Sequence, residues 1–591
     1  MTVYWLIWDA AAHWVVDRLD RQGALPAVRR LREQGCTAAA RPPRPNCQTP
    51  PSLATLFTGT WPSEHAVTGF DVPGAGGQGP AGSLPGFHPS FPAVDPVWRT
   101  LGRAGRRSAF VHVPWVFDAD GGLPPYVDAA VEAYSRRLAR PGALPVDDRR
   151  VRTWDLGGHP LTVRTSSGDH LSVTVGDRTH RLHQHDEWLP VPLASGADAP
   201  GTWLRHLRTD GRSLLLHTGA WDLRTAGADR ELTDRLRTTA PPITAPPTPT
   251  GAHVFAGESV GALYRDGTLG PRLAEGGDGT AEDLLLSSAR CVARSFAAAA
   301  TTVIRHHTAD LVVIYLPMTD DIGHELLGWC DPCSAAHRPD IAERLWTHVR
   351  TCYQWADDVL ALALDHAAAD DTVLLTADHG MVGSSHQLHL NDVLIQAGLA
   401  TAAPDGHVDC ARSTVYYHPA NNGSLWHACA PAPAAPAPVT PDEPAVTATP
   451  AAPAHAAAMR RAMTALVATT HPGTGRSVVR GFTDDRGEPL SVPALDAPPP
   501  VVHVVLHDDY QPTSRLSGGG EPLQPLAKTA AHVVNTGSPR LHAIFAAAGP
   551  GIAPGTRLGT VDNTLPASLV LARAGSGTTT DARPPLQGST T

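Results

Sequence analysis

Val3–Trp8 is an unbroken apolar run of strand length that stops at Asp9. Beyond it, Trp14, Val15, Leu19, Leu25, Val28 and Leu31 recur with helical period over 12–35, interrupted near Gly23. Strand, loop and helix in that order open an α/β unit. Residues 108–113 read as a further strand. From about 118 to 278 the pattern changes to short alternating runs, such as 161–164, 171–175 and 213–216, separated by Gly, Asp and Pro. This predicts a β-rich, cap-like insertion that also holds a Pro/Thr/Gly-rich stretch at 239–251. Helical period returns at 281–306, the apolar run Leu311–Leu316 follows, 341–366 is helical, and Thr372–Thr376 is another buried strand. Continuous apolar strands alternating with helices predict an α/β fold, with a mostly parallel central sheet covered by helices on both faces. Val501–Leu506 and 541–547 read as late strands of the same core. The expected core is therefore 1–117, 279–427 and 500–573. An Ala/Pro-rich linker is expected at 428–458 and a disordered tail at 574–591.

Composition narrows the class. With 591 residues, the chain is too long for one ordinary core, so one large domain with an insertion, or two domains, is expected. Lys+Arg 47 against Asp+Glu 57 leaves a net charge of −10, which argues against nucleic-acid polymers and anionic membranes as partners. A small anionic substrate stays open, because buried metal ions supply local positive charge whatever the net charge. The N-terminus lacks a basic region and a small-residue cleavage site, and reads as a core strand rather than a signal peptide. No run of about 18 apolar residues exists. Eight Cys in this length make no disulfide framework, which fits reduced thiols and a cytoplasmic location.

Candidate chemistry gathers at strand ends. Asp9 ends the first strand, Asp320-Asp321-Ile322-Gly323-His324 follows Leu311–Leu316, and Asp378-His379-Gly380 follows Thr372–Thr376. Open α/β sheets bind ligands beyond the carboxyl ends of their strands, so three strands deliver Asp and His to one rim. Carboxylate plus imidazole suits zinc, and iron or manganese less selectively. Each piece alone has a bland reading: with 30 His in the chain a stray Asp-His pair is unremarkable, and Asp9 alone could be a cap. In Asn46-Cys47-Gln48-Thr49-Pro50-Pro51, the prolines suit a helix's first turn. Thr49 is then expected as N-cap of a helix running to Thr58, its hydroxyl facing free backbone N–H groups and the positive end of the helix dipole. A plain capping threonine is the alternative.

Together and in this order, these motifs resemble the type I phosphodiesterase / nucleotide pyrophosphatase branch of the alkaline phosphatase superfamily. Thr49 precedes Thr58-Gly59 by nine residues, Trp61-Pro62-Ser63-Glu64-His65 follows, and Ala548-Gly549-Pro550-Gly551-Ile552 is similar to the family's late strand end. The resemblance spans roughly 1–115, 281–400 and 500–570. It implies a hydrolase of phosphodiester or phosphoanhydride bonds in a small, nucleotide-like phosphate ester, through a phosphothreonine intermediate on Thr49. It also implies two divalent ions, zinc foremost, one held by Asp9, Thr49, Asp378 and His379, the other by Asp320, His324 and a late His. Among His503, His507, His532 and His542, the family's placement selects His532, which lies eleven residues before Ala543-Ile544-Phe545; His507 is the competitor.

One departure concerns substrate. Relatives often carry a phosphoryl-binding Asn 21 residues after the nucleophile, where this chain has Phe70, which donates no hydrogen bond. Either Asn46, a backbone N–H or a residue of the insertion replaces it, or the substrate differs from the family's usual nucleotides; Asn46 and Phe70 are the candidate substrate contacts. Cys330-x-x-Cys333 lacks a second Cys pair. Cys47 lacks the Cys-x-Pro-x-Arg pattern of sulfatases. Trp154, Trp188, Trp203 and Trp221 could stack on a base or sugar, although core packing accounts better for most of them. Phosphomonoester hydrolysis, a non-catalytic binding protein and a mutase are the competing readings. The motifs leave the oligomeric state open.

Overall fold

The computed structural model describes the chain except residues 75–81, 119, 147–150, 166–169, 185, 195–198, 210, 228–231, 233–234, 237–254, 256, 429–452, 492–497 and 576–591. The expected Pro/Thr/Gly-rich stretch 239–251, most of the expected linker and nearly all of the expected tail lie outside the described residues.

A thirteen-stranded mixed sheet forms the backbone of the fold. At its centre Thr372–Thr376, Val3–Trp8, Leu311–Leu316, Ser108–Val111 and Val127–Ala139 run parallel in that order. Ala543–Ala548 runs antiparallel beside Thr372–Thr376 and is followed by Cys36–Arg41. Every residue of Val3–Trp8, Leu311–Leu316 and Thr372–Thr376 is buried, as strands covered on both faces require. Side chains alternate along a strand. Accordingly Trp5 meets Phe57 of the helix Thr49–Thr58 edge-on at 5.5 Å, while Trp8, three residues on, meets Tyr353 of the helix Ala342–His366 on the opposite face at 6.3 Å. Helices therefore cover both faces.

The helical stretch 12–35 is two helices, His13–Arg21 and Pro26–Gln34, broken where Gly23 takes a left-handed φ of 73° and Pro26 opens the second. The segment expected as a cap-like insertion is β-rich, but part of it extends the central sheet. Val127–Ala139 pairs parallel with Ser108–Val111 on one side and antiparallel with Ala220–Gly227 on the other. Only the strands from Arg152 to His183 form a separate antiparallel sheet, whose Leu161, Val163, Leu171 and Val173 share one apolar cluster with Leu204 and Leu215 of the large sheet.

Two expectations need correction. Val501–Leu506 is not a strand of the central sheet. It pairs antiparallel with Ser424–His427 and Val479–Thr483 in a second, five-stranded sheet. The stretch 428–458 is not linker throughout: its last residues start the helix Pro453–Val467, which buries Ala458, Met459, Ala462, Met463 and Leu466 against that second sheet. Alanine is the best helix former, and an apolar stripe with the period of a helix docks it. Among the described residues no helix is long and apolar enough to cross a membrane.

Candidate metal and nucleophile site

Register explains how distant residues meet. Ile7 pairs with Thr376 in the parallel ladder, so Asp9 and Asp378, each two residues further on, emerge side by side. Ala10, at φ 53°, turns its N–H onto Asp378 Oδ1 at 3.1 Å. The helix Met318–Cys330 starts directly after Leu311–Leu316 and places Asp320 and His324, one turn apart, on one face. A loop after the short strand Ala530–Ala531 brings His532.

The structure thus brings seven of the expected residues together. Asp9, Asp378 and His379 offer ligand atoms within 4.8 Å of one another, and so do Asp320, His324 and His532. The groups adjoin, since the His379 and His532 rings stack at 3.7 Å. Thr49 Oγ1 lies 3.4 Å from His379 Nε2. His507 belongs to neither group: its N–H donates to Val478 O, and its carbonyl accepts from Asn535.

The donor chemistry fits divalent cations. Asp9 Oδ1, Asp320 Oδ1 and Asp378 Oδ2 are buried without a hydrogen-bond partner. Buried polar atoms are ordinarily satisfied, so three orphaned carboxylate oxygens facing one space call for cations. The imidazoles are oriented to match. Each Nδ1 faces a backbone carbonyl: Ala530 O for His324 at 2.7 Å, Gly380 O for His379 at 3.0 Å and Cys47 O for His532 at 3.4 Å. Nδ1 then carries the proton, and each Nε2 lone pair is left for a ligand bond. Burial holds His324 down at about 3 and His379 well below its ordinary value, so both are neutral. Asp9 is pushed well up by burial and by the charges of Asp378 and Asp320, a repulsion that a bound cation reverses.

These shifts set a pH dependence. The neutral imidazoles contribute stability above 6.5 and lose it as the pH falls toward their folded values. Carboxylates that are raised on folding contribute stability at low pH and lose it as the pH rises through their folded values. Asp9 and Asp378 belong to the second group, together with Asp321, which burial, Asp320 and Glu258 push up to about 8. Above pH 6.5 only the carboxylates act. The melting temperature of chelator-treated protein is therefore expected to fall by roughly 5 °C or more between pH 6.5 and 8.5, and that of metal-loaded protein to fall less, because bound cations hold Asp9 and Asp378 ionised. A rise in the chelated protein over that interval would contradict the assignment.

Two expectations about Thr49 and its surroundings change. Thr49 is not the N-cap but the first residue of its helix, with Gln48 at the cap. The N–H cradle is also sparse. Pro50 and Pro51 have no N–H and Ser52 donates to Gln48 O, which leaves the N–H of Thr49 itself. Asn46 is no free donor either: its amide binds Gln48 Oε1 at 3.0 Å and Thr68 O at 2.9 Å, and its Oδ1 accepts from Gln48 N. Phe70 is 47% exposed and stands edge-on to Phe87, itself 41% exposed, at 6.1 Å. His65 braces the helix Thr49–Thr58 through Thr55 Oγ1 at 3.0 Å instead of entering the site.

Several supporting residues escaped the sequence reading. The Tyr315 hydroxyl donates to Asp9 Oδ2 and that of Thr319 to Asp9 O. Asn563 Nδ2 donates to Ala377 O and Asp378 O. The one available signal was Tyr315, the single residue with a polar group in an otherwise aliphatic strand. Trp188, Trp203 and Trp221 are packing residues whose indoles bond Ser287, Phe255 and Glu258, and Trp154 packs on the separate sheet's cluster. Cys330 is buried, while Cys333 is exposed and touches Arg540.

Cys47 is fully buried beneath the site, and its Sγ donates to His532 O at 3.3 Å; burial keeps the thiol protonated. Cys47→Ser preserves that donor and is expected to keep most turnover, with sulfate esters poor substrates. Complete loss of activity, with fold and metal content intact, would revive a sulfatase-like role.

Comparison with known proteins places this geometry. No curated protein sequence matches the chain. Among solved structures, murine ectonucleotide pyrophosphatase / phosphodiesterase 5 shares 12% identity with a TM-score of 0.44, covering 97% of this chain and 95% of that one. The human counterpart shares 11% identity with the same TM-score and the same coverage. Phosphonoacetate hydrolase from Sinorhizobium meliloti 1021, in complex with phosphonoacetate, shares 12% with a TM-score of 0.44, covering 97% of this chain and 96% of that one. The sequence profile of type I phosphodiesterase / nucleotide pyrophosphatase matches residues 8–474, most of the chain, so this protein belongs to that family and is a hydrolase of phosphoric ester bonds.

Proposed function

We propose that the protein hydrolyses a phosphodiester or phosphoanhydride bond in a small, nucleotide-like substrate, with Thr49 as covalent nucleophile. The carrying observation is the set of three orphaned buried carboxylate oxygens facing three Nε2 atoms, with the Thr49 hydroxyl beside them. Asp9, Thr49, Asp378 and His379 would hold one divalent ion, and Asp320, His324 and His532 the other. Zinc suits this oxygen and nitrogen donor set. Bound there, the ions supply Lewis acidity and neutralise phosphoryl charge.

The chain's own residues do the rest. Thr49 Oγ1 attacks phosphorus, the bond to the leaving oxygen breaks, and a phosphothreonine forms; water then cleaves it and restores the hydroxyl. Tyr315 and Thr319 hold Asp9 through its other oxygen and its carbonyl, and Asn563 holds the Asp378 turn. Burial of Asp9, Thr49, Asp378, His379 and His532 excludes bulk water. A ring on the substrate has the exposed faces of Phe70 and Phe87 to meet. Phe87 lies 5.6 Å from the buried Trp115, and these two with Phe117, whose face Arg224 covers, line a cavity of about 330 Å³. Phosphonoacetate hydrolase binds phosphonoacetate, and an inactive form of murine ectonucleotide pyrophosphatase / phosphodiesterase 5 binds AMP. The seven described cysteines are all free and six are buried, which supports a cytoplasmic location as part of this reading.

The test combines metal analysis with turnover of bis-p-nitrophenyl phosphate against p-nitrophenyl phosphate. About two metal ions per chain and a preference for the diester support the reading. Preference for the monoester replaces it with a phosphomonoesterase, and absence of both activities removes it.

A further inference from the structure

Lys528 is the single lysine of the chain; every other residue among the 47 Lys+Arg is arginine. It stands four residues before His532, on a segment laced to the second metal group. Thr529 N–H donates to His324 O at 2.9 Å, Ala530 O faces His324 Nδ1 at 2.7 Å, and Leu526 N–H donates to Ser385 O at 2.8 Å. The backbone around Lys528 is thus held on both sides. Its side chain is partly buried and forms neither hydrogen bond nor ion pair among the described residues. Its charge is felt by Asp321, His324 and Glu325, of which Glu325 already pairs with Arg265.

Among the described residues the rest of the site offers an anion few donors beyond the Thr49 N–H. Phe70 cannot donate, Pro50 and Pro51 have no N–H, and the Asn46 amide is spent on Gln48 and Thr68. Three carboxylates against two divalent ions leave one positive charge, enough for a singly charged diester. A second anionic group on the substrate would have to find another cation. Lysine suits this role: its ammonium is a compact charge on a flexible stem, without the rigid fork that commits arginine to a fixed partner.

We propose that Lys528 determines specificity by taking a second anionic group of the substrate, a phosphate or a carboxylate adjoining the scissile phosphorus. This rests on the hydrolase reading above. Lys528→Met keeps the apolar stem and removes only the charge, and Lys528→Arg keeps the charge. Three substrates are compared: bis-p-nitrophenyl phosphate, with one negative charge; ATP, with further phosphates; and a p-nitrophenyl phosphodiester bearing a carboxyethyl group. For Lys528→Met, KM is expected to rise about tenfold or more on ATP or on the carboxylate diester, the worth of one charge-assisted contact, with kcat little changed. Turnover of bis-p-nitrophenyl phosphate and metal per chain stay at the wild-type level, and Lys528→Arg restores most of the loss. An effect confined to ATP identifies phosphate as the group, and one confined to the carboxylate diester identifies carboxylate. Equal losses on all three substrates, or none on either charged one, overturn the proposal while leaving the hydrolase reading intact. Failure of the wild type to turn over any of the three overturns both.

Discussion

Thr49→Ala is expected to lose turnover by on the order of 10⁴-fold or more while keeping its fold and bound metal. The size follows from the role: without Oγ1 no phosphothreonine forms, and the neighbouring Tyr315 and Thr319 hydroxyls are spent on Asp9. The retained fold follows from the surroundings. Among the described residues the Thr49 hydroxyl makes one contact, with His379 Nε2 at 3.4 Å. Loss of the hydroxyl therefore leaves the helix start, set by Pro50 and Pro51, in place. Most ligand atoms remain on Asp9, Asp378 and His379. Metal analysis and melting curves beside steady-state kinetics check all three parts. Near-normal turnover in this variant would remove the covalent mechanism. Loss of both metals would show instead that Thr49 acts chiefly as a ligand.

The second large effect is expected at His532. His532→Ala should release about one of two metal ions per chain and take most activity with it, whereas His507→Ala should release none. His532 Nε2 lies 3.4 Å from Asp320 Oδ1, its ring stacks on His379, and its Nδ1 faces Cys47 O. Removing it leaves Asp320 and His324 as the only protein ligands of that ion, too few for zinc. His507 is tied by its backbone to Val478 and Asn535, away from both groups. Loss of a metal ion from His507→Ala, with none from His532→Ala, would reverse the assignment.

Legibility in the sequence varied with how local the deciding interaction is. Asp9 and Asp378 could be read because each follows an apolar run, and strand-end carboxylates share a rim whichever strands are neighbours. Asp320 and His324 could be read because one helical turn separates them. His532 could not be selected from its surroundings; only the family resemblance singled it out among four late histidines. The N–H-rich helix start was misjudged although the cause was visible, since Pro50 and Pro51 remove the very donors a helix N-terminus supplies. The linker reading took alanine and proline for disorder, but Met459, Ala462, Met463 and Leu466 form a stripe that docks a helix.

Local pattern by itself determined the central strands, the principal helices and the residue types at the strand ends. Period and apolar run length act within one segment and need no partner. Tertiary structure decided which strands pair. It joined Val127–Ala139 to the central sheet and gave Val501–Leu506 to another. It also decided which residues support the candidate ligands, as Tyr315 does for Asp9 and Asn563 for the Asp378 turn, and it left Lys528 without a hydrogen-bond or ion-pair partner among the described residues. An apolar strand is equally content beside any apolar strand that buries the same area, so its neighbours are set by the packing of the whole chain. Hydrogen-bond satisfaction is likewise a property of the folded neighbourhood, and is not encoded in the residue or its immediate sequence.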